Sequence, residues 1–193
     1  MKRVLFICLA IAMLGFTSNV KGEGPDGKGI RAGWQSSFIA IDGVDLSDDS
    51  NGFYAGFFKS NNIGVSILKL DSGIEYYQVN GKKNLLELFN EDIVGELKLH
   101  YINIPIALRV KLGPVYGLGG VSGAIKVAGK FEVNGQEVDG MDVSTFDAGM
   151  HLGLGVKVLK FGIEAKYNWG LVDIIEDSDS KTEYLQIGAV LFF

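Results

Sequence analysis

Between Phe161 and Gly170 the chain reads FGIEAKYNWG, and its two kinds of residue alternate without a break. Successive side chains of a strand point to opposite faces. Phe161, Ile163, Ala165, Tyr167 and Trp169 therefore share one face, and Gly162, Glu164, Lys166, Asn168 and Gly170 share the other. The second face mixes glycine with opposite charges. A soluble barrel has no evident reason to turn such a face to water, whereas the interior of a narrow barrel uses both: glycine relieves crowding and the charges pair.

The same scheme recurs along the chain. In TFDAGMHLGLGVKVL, Ala148, Met150, Leu152, Leu154, Val156 and Val158 oppose Asp147, Gly149, His151, Gly153, Gly155 and Lys157. A helix there would carry several interior glycines at about 1 kcal/mol each. In HYINIPIALRVKL, the even positions Ile102 to Leu112 oppose Tyr101, Asn103, Pro105, Ala107, Arg109 and Lys111, and the last strand sets Leu185, Ile187, Ala189, Leu191 and Phe193 against Tyr184, Gln186, Gly188 and Val190. Three weaker strands follow the rule. Ile30, Ala32 and Trp34 oppose Arg31, Gly33 and Gln35; Phe53, Ala55 and Phe57 oppose Gly52, Tyr54 and Gly56; Leu68, Leu70, Ile74 and Tyr76 oppose Lys69, Asp71, Gly73 and Glu75. PVYGLGGVSGAIKV is too glycine-rich for parity to choose a face, but its place between two good strands makes it the eighth.

Short and long connections alternate. Asn61-Asn62, Gly113-Pro114 and Leu159-Lys160 read as tight turns. IDGVDLSDDSN, VNGKKNLLELFNEDIVG, AGKFEVNGQEVDGMDV and IIEDSDSK read as long polar loops. This order predicts an all-β fold, an eight-stranded antiparallel up-and-down transmembrane β-barrel with turns in the periplasm and loops outside. Strands of about ten residues, tilted near 45°, suit the hydrocarbon thickness.

The N-terminus bears on location. MKRVLFICLAIAMLGFTSNVKG places Lys2 and Arg3 before an apolar run from Val4 to Phe16 and a small-residue end, the pattern of a secretory signal peptide. Residues 1–22 are expected to be a signal peptide and 23–193 the barrel domain. Cys8, the single cysteine, lies in the first segment, so the remainder offers no disulfide, thiolate or cysteine-metal chemistry. Removing Lys2, Arg3 and Lys21, and no acid, takes the formal charge from -5 to -8, which argues against nucleic-acid binding. No later stretch offers roughly 18 uncharged apolar residues for a transmembrane helix.

With lipid outside, Lys69, Asp71, Glu75, Arg109, Lys111, Lys157, Glu164, Lys166 and His151 point inward. The reading of this set is a structural salt-bridge network filling the lumen, with a gated ion path or polar pocket as the functional alternative. Arg109 with Glu164 or Glu75 is the favoured pair. Ile163→Lys is expected to impair assembly far more than Glu164→Gln. Tyr167 and Trp169 would join one interfacial aromatic belt and Phe193 the other. His151 lacks a matching ligand, and His100 faces the other way near a strand start, so no metal site and no cofactor are expected. The acid runs Asp45, Asp48, Asp49 and Glu176, Asp177, Asp179 lack the spacing of a calcium loop and read as solvated charge. NLLELF is a short candidate amphipathic helix. No catalytic residue emerges. Ser144 and His151 stand seven positions apart in one strand, face opposite sides and lie more than roughly 20 Å apart, and no G-x-S-x-G or phosphate loop is present.

YINIPIALRVKLGPVYGLGG, FDAGMHLGLGV, FGIEAKYNWGLVDI, GIRAGWQSS, IEYYQVNGK and the terminal strand ending in Phe193 together resemble the outer-membrane β-barrel domain of Bacteroidota, the PorT-like group, over about residues 29 to 193. The Ile-Pro dipeptide is the most specific element. The resemblance implies a barrel in the outer membrane of a diderm bacterium, with a terminal aromatic strand like the signal read by the barrel-assembly machinery. PorT itself is tied to protein secretion.

The expected function is that of a small non-enzymatic barrel with a structural or binding role. Its contacts are outer-membrane lipid, the assembly machinery during biogenesis and a protein partner held through the loops. The alternatives are a barrel enzyme acting on outer-membrane lipid, a secretion accessory, and a soluble periplasmic carrier with the faces reversed.

Overall fold

In the computed structural model, residues 27–41, 44–45, 51–84, 94–133, 136–137, 145–172 and 182–193 are described. Eight antiparallel strands form the wall: β1 (Lys28–Ile41), β2 (Asn51–Ile63), β3 (Val65–Asn84), β4 (Val94–Leu112), β5 (Val115–Val133), β6 (Phe146–Val158), β7 (Phe161–Gly170) and β8 (Thr182–Phe192). Each pairs with its neighbours in sequence, and β8 returns to β1 from Gly29 opposite Phe192 to Ile39 opposite Thr182. The sheet is therefore a closed barrel, which leaves no open edge in the hydrocarbon. Two short pieces extend it: Val44–Asp45 pairs with the end of β1, and Gln136–Glu137 with the end of β5.

Parity decides the faces as lipid outside requires. Ile163 and Leu154 are each 68% exposed, whereas Glu164 is 0% and Lys166 2%. In β5, where the sequence chose no face, Tyr116, Leu118 and Ala124 are buried while Val115, Val121, Ile125 and Val127 are exposed. Gly117, Gly119 and Gly123 fall on the outer face and Gly120 on the inner, which is why composition there is mute.

Two sequence expectations change. The first hairpin does not turn at Asn61-Asn62, which are paired in the ladder opposite Leu70 and Lys69. The register shifts after Asn62 and the chain reverses at Gly64, whose φ of +73° a glycine adopts without strain. The other turns fall as read, with Gly113 at φ +69° and Leu159 at +57°. The second change is strand length. β3, β4 and β5 run to 20, 19 and 19 residues, so parts of the expected loops, residues 79–84, 94–95 and 128–133, lie in strands. Beyond the bilayer, backbone hydrogen bonds hold the hairpins together without any call for an apolar face, so hydropathy loses the strands there. Residues 85–89 of the candidate amphipathic helix lie outside the described residues.

Candidate functional site

The barrel interior is built in three layers. At the turn end, Phe58, Tyr116, Leu118, Val190 and Phe192 form a buried cluster. Phe192 meets Phe58 and Tyr116 edge to face, at 5.7 and 6.2 Å between ring centres. Arg109 lies over three of these rings, 4.6 Å from the centre of Tyr116, 5.0 Å from Phe58 and 5.2 Å from Phe192. Arg31 lies 4.3 Å from the centre of Phe58 and the Lys157 ammonium 4.5 Å from that of Phe192. Each contact is a cation held against the electron-rich face of a ring.

The middle layer holds the charges, three cations against three carboxylates. Arg31 Nη1 donates to Glu164 Oε1 at 3.0 Å, and Tyr116 OH donates to Glu164 Oε2 at 3.0 Å. Arg109 Nη2 lies 2.5 Å from Asp71 Oδ2, and Ser60 Oγ donates to Asp71 Oδ1. Lys166 Nζ donates to Glu75 Oε2 at 2.9 Å. Gln186 Nε2 joins Glu75 Oε1, at 3.2 Å, to Gln35 Oε1, at 2.8 Å. All six charged groups are almost wholly shielded from solvent, so each depends on its partner for the stabilisation that water would supply.

The loop end is closed by tyrosines. Tyr77 stacks on Tyr101 and on Tyr184, at 5.2 and 5.1 Å, and its hydroxyl donates to Asp147 Oδ2 at 3.2 Å.

The sequence's favoured pairing is therefore replaced. Arg109 binds Asp71, not Glu164 or Glu75, because Asp71 stands opposite Ala107 on the adjacent strand and Arg109 is its diagonal neighbour. Glu164 takes Arg31 instead. It faces Gly188 in register, and the guanidinium reaches it across β8 from β1, where Arg31 stands opposite Val190; the space over Gly188 itself is taken by the Tyr54 hydroxyl. Arg31 was legible on the polar face of its strand, but parity on one strand does not show which residue meets it. Lys69 is buried near Asp71 and Arg109, and Lys111 and Lys157 are half-buried toward the turn end. His151 is buried in the wall's inner face, in register between Gly120 and Asn168.

The outer face carries its aromatics toward both ends. Tyr167 and Trp169 lie 4.8 Å apart by ring centre, and Tyr167 OH donates to Glu183 Oε2 at 2.5 Å. Trp34, whose indole donates to Asn51 at 2.9 Å, and the Phe53–Tyr76 pair at 5.5 Å lie toward the same end. At the other, Phe193 approaches Phe57 at 6.3 Å. His100 stands within β4 and not at its start; its Nδ1 and the Tyr76 hydroxyl share a hydrogen bond at 2.7 Å. Among the described residues no group of three or more His, Cys, Asp or Glu is placed to hold a metal ion. Ser144 and the acid runs at 48–49 and 176–179 lie outside the described residues.

One glycine tests this packing. A Cβ built on Gly155 would stand 2.2 Å from Cζ of Tyr116, so Gly155→Ala must displace the ring that holds Glu164. We expect a loss of about 1–3 kcal/mol from overpacking, read as a lower urea midpoint for the folded barrel in micelles; an unchanged midpoint would show that the ring has slack.

The profile of the outer membrane protein β-barrel domain matches residues 17–176. No curated protein matches the sequence. Among solved structures, Ail, the attachment invasion locus protein of Yersinia pestis, in complex with the heparin analogue sucrose octasulfate, is similar at 20% identity and a TM-score of 0.55, covering 87% of this chain and 99% of that one. Neisserial surface protein A, from Neisseria, is similar at 13% identity and a TM-score of 0.54, covering 86% of this chain and 97% of that one. At such identities the likeness is one of fold. The family match spans most of the chain and agrees with the closed eight-stranded wall: the chain belongs to the outer-membrane protein β-barrel domain family and is a small outer-membrane β-barrel.

Proposed function

We propose that this barrel is a non-enzymatic anchor that presents its long loops as a binding surface, while its interior serves as a structural plug. The observation that supports this most is the ion-paired middle layer: Arg31, Arg109 and Lys166 against Asp71, Glu75 and Glu164, capped by aromatic side chains at both ends. Six charges already held in pairs across the lumen offer little to a passing ion or polar ligand. In a planar bilayer the protein is expected to show no steady conductance, and an open state of stable, sizeable conductance would overturn the plug.

The three turns share one end, so the four long connections emerge at the other. Residues 42–50, 85–93, 134–144 and 173–181 carry 14 acids and one lysine, Lys181. Such a surface repels polyanions, and a neutral or cationic protein partner fits it better. Sulfated ligands of the kind in the Ail complex are therefore poor candidates here. Export by a signal peptide over residues 1–22, membership of the PorT-like group of Bacteroidota and interfacial belts at Tyr167, Trp169 and Phe193 are parts of the same proposal.

The test is co-purification from the native outer membrane, comparing the natural chain with one whose residues 173–181 are replaced by a glycine-serine linker. Loss of a stable neighbour from a barrel that still shifts on gels when boiled supports the reading. Acyl transfer or loss on labelled lipopolysaccharide, abolished by changing His100 or His151, would favour the enzyme instead.

A further inference from the structure

Charge is sorted between the two ends of the barrel. Segments 27–30, 57–70, 110–118, 153–163 and 188–193, which make the turn-end part of the wall, hold six lysines, Lys28, Lys59, Lys69, Lys111, Lys157 and Lys160, and no Asp or Glu. The carboxylate of Phe193 removes one of these charges and leaves the end cationic. Lys69, Lys111 and Lys157 face the lumen. Lys28 and Lys59 face outward, because their neighbours Gly29 and Phe58 are the buried ones. Lysines gathered in this number beside a bilayer attract anionic headgroups.

The outward pair is the best built. Lys28 stands directly opposite Lys59 on the neighbouring strands β1 and β2. Like charges so placed repel each other, and an anion drawn between them turns the repulsion into attraction. The next outward rung toward mid-depth is Ile30 opposite Phe57, both exposed. Phe193 adjoins it: its N–H donates to the Lys28 carbonyl at 2.9 Å, and its half-exposed ring lies 6.3 Å from that of Phe57. Two ammonium groups therefore stand at headgroup level beside an apolar shelf.

We propose that the Lys28–Lys59 rung, with Ile30, Phe57 and Phe193 beside it, is a binding site for an anionic phospholipid of the leaflet on the turn side. The phosphate lies between the two ammonium groups and an acyl chain runs along the shelf. The lumen-facing lysines stand apart from the site, but their field adds to the attraction. A zwitterionic lipid brings no net charge to the rung and is held less well. An acidic protein matches the charge but leaves the shelf, which faces hydrocarbon, unused. The site lies at the opposite end from the loops and gives the barrel a second contact surface, independent of theirs.

The test uses the whole chain in phosphatidylcholine bicelles with a minor share of phosphatidylglycerol. One lipid or the other carries a nitroxide high on an acyl chain, and paramagnetic broadening of the amide signals is read. Around Gly29, Phe58 and Phe193 the lipid should be richer in phosphatidylglycerol than the bulk bilayer by about fivefold or more, the worth of one lysine near an anionic surface. Lys28→Gln with Lys59→Gln should return it to the bulk ratio, in a barrel that still shifts on gels when boiled. Lys111→Gln with Lys157→Gln removes as much charge from the lumen mouth and should keep most of the enrichment. A bulk ratio in the natural protein, enrichment that survives Lys28→Gln with Lys59→Gln, or an equal loss in both double variants would overturn the proposal.

Discussion

Replacing Ile163 by lysine is expected to cut the amount of folded barrel in the outer membrane by about tenfold or more. Ile163 lies on the lipid face of β7, in register between Val156 and Ala189, and is 68% exposed. It sits close to mid-depth, between the Leu159–Lys160 turn and the aromatic pair at Tyr167 and Trp169. A lysine on the lipid face at such depth costs about 2–4 kcal/mol, and the short strand lets its side chain reach the headgroups only in part. Outer-membrane fractionation, with the gel shift between boiled and unboiled samples, reads the outcome. Normal assembly of the variant would mean that the faces have been assigned the wrong way round.

Glu164→Gln is expected to lower the stability of the folded barrel by about 3–5 kcal/mol, the range for breaking a buried pair from one side. The substitution leaves Arg31 buried with Asp71 at 3.8 Å as its remaining acid, and weakens the acceptor of Tyr116 OH. The expected ordering, with Ile163→Lys far the worse, concerns assembly in the membrane; the two bonds on Glu164 add a cost to the stability of the folded barrel. The substitutions differ in where they act, the lysine on insertion and the glutamine on the stability of what has inserted. A double-mutant cycle in urea checks it. Arg31→Gln combined with Glu164→Gln should recover most of the loss, and a double variant as unstable as the sum of the singles would show that the two residues do not depend on each other.

Strand count and face assignment were legible because a strand's period of two matches a wall with lipid on one side and a narrow lumen on the other. Glu164, Lys166, Arg109 and Asp71 were readable as inward, and two of the three turns could be placed to the residue. The pairing of the charges was not legible. Arg31 meets Glu164 across the intervening strand β8, and no feature local to either residue encodes that approach. The extent of β3, β4 and β5 was hidden for a different reason: polar residues such as Lys82 and Glu96 face each other in a ladder held by backbone bonds, which hydropathy cannot see.

By itself the sequence determined the alternation of side chains, and with it the inside and outside of seven strands, since that depends only on the geometry of an extended backbone. Closure decided the rest: which cation meets which carboxylate and which face of β5 turns inward. These depend on the stagger between strands, fixed only when β8 returns to β1 and the whole wall must agree on one register.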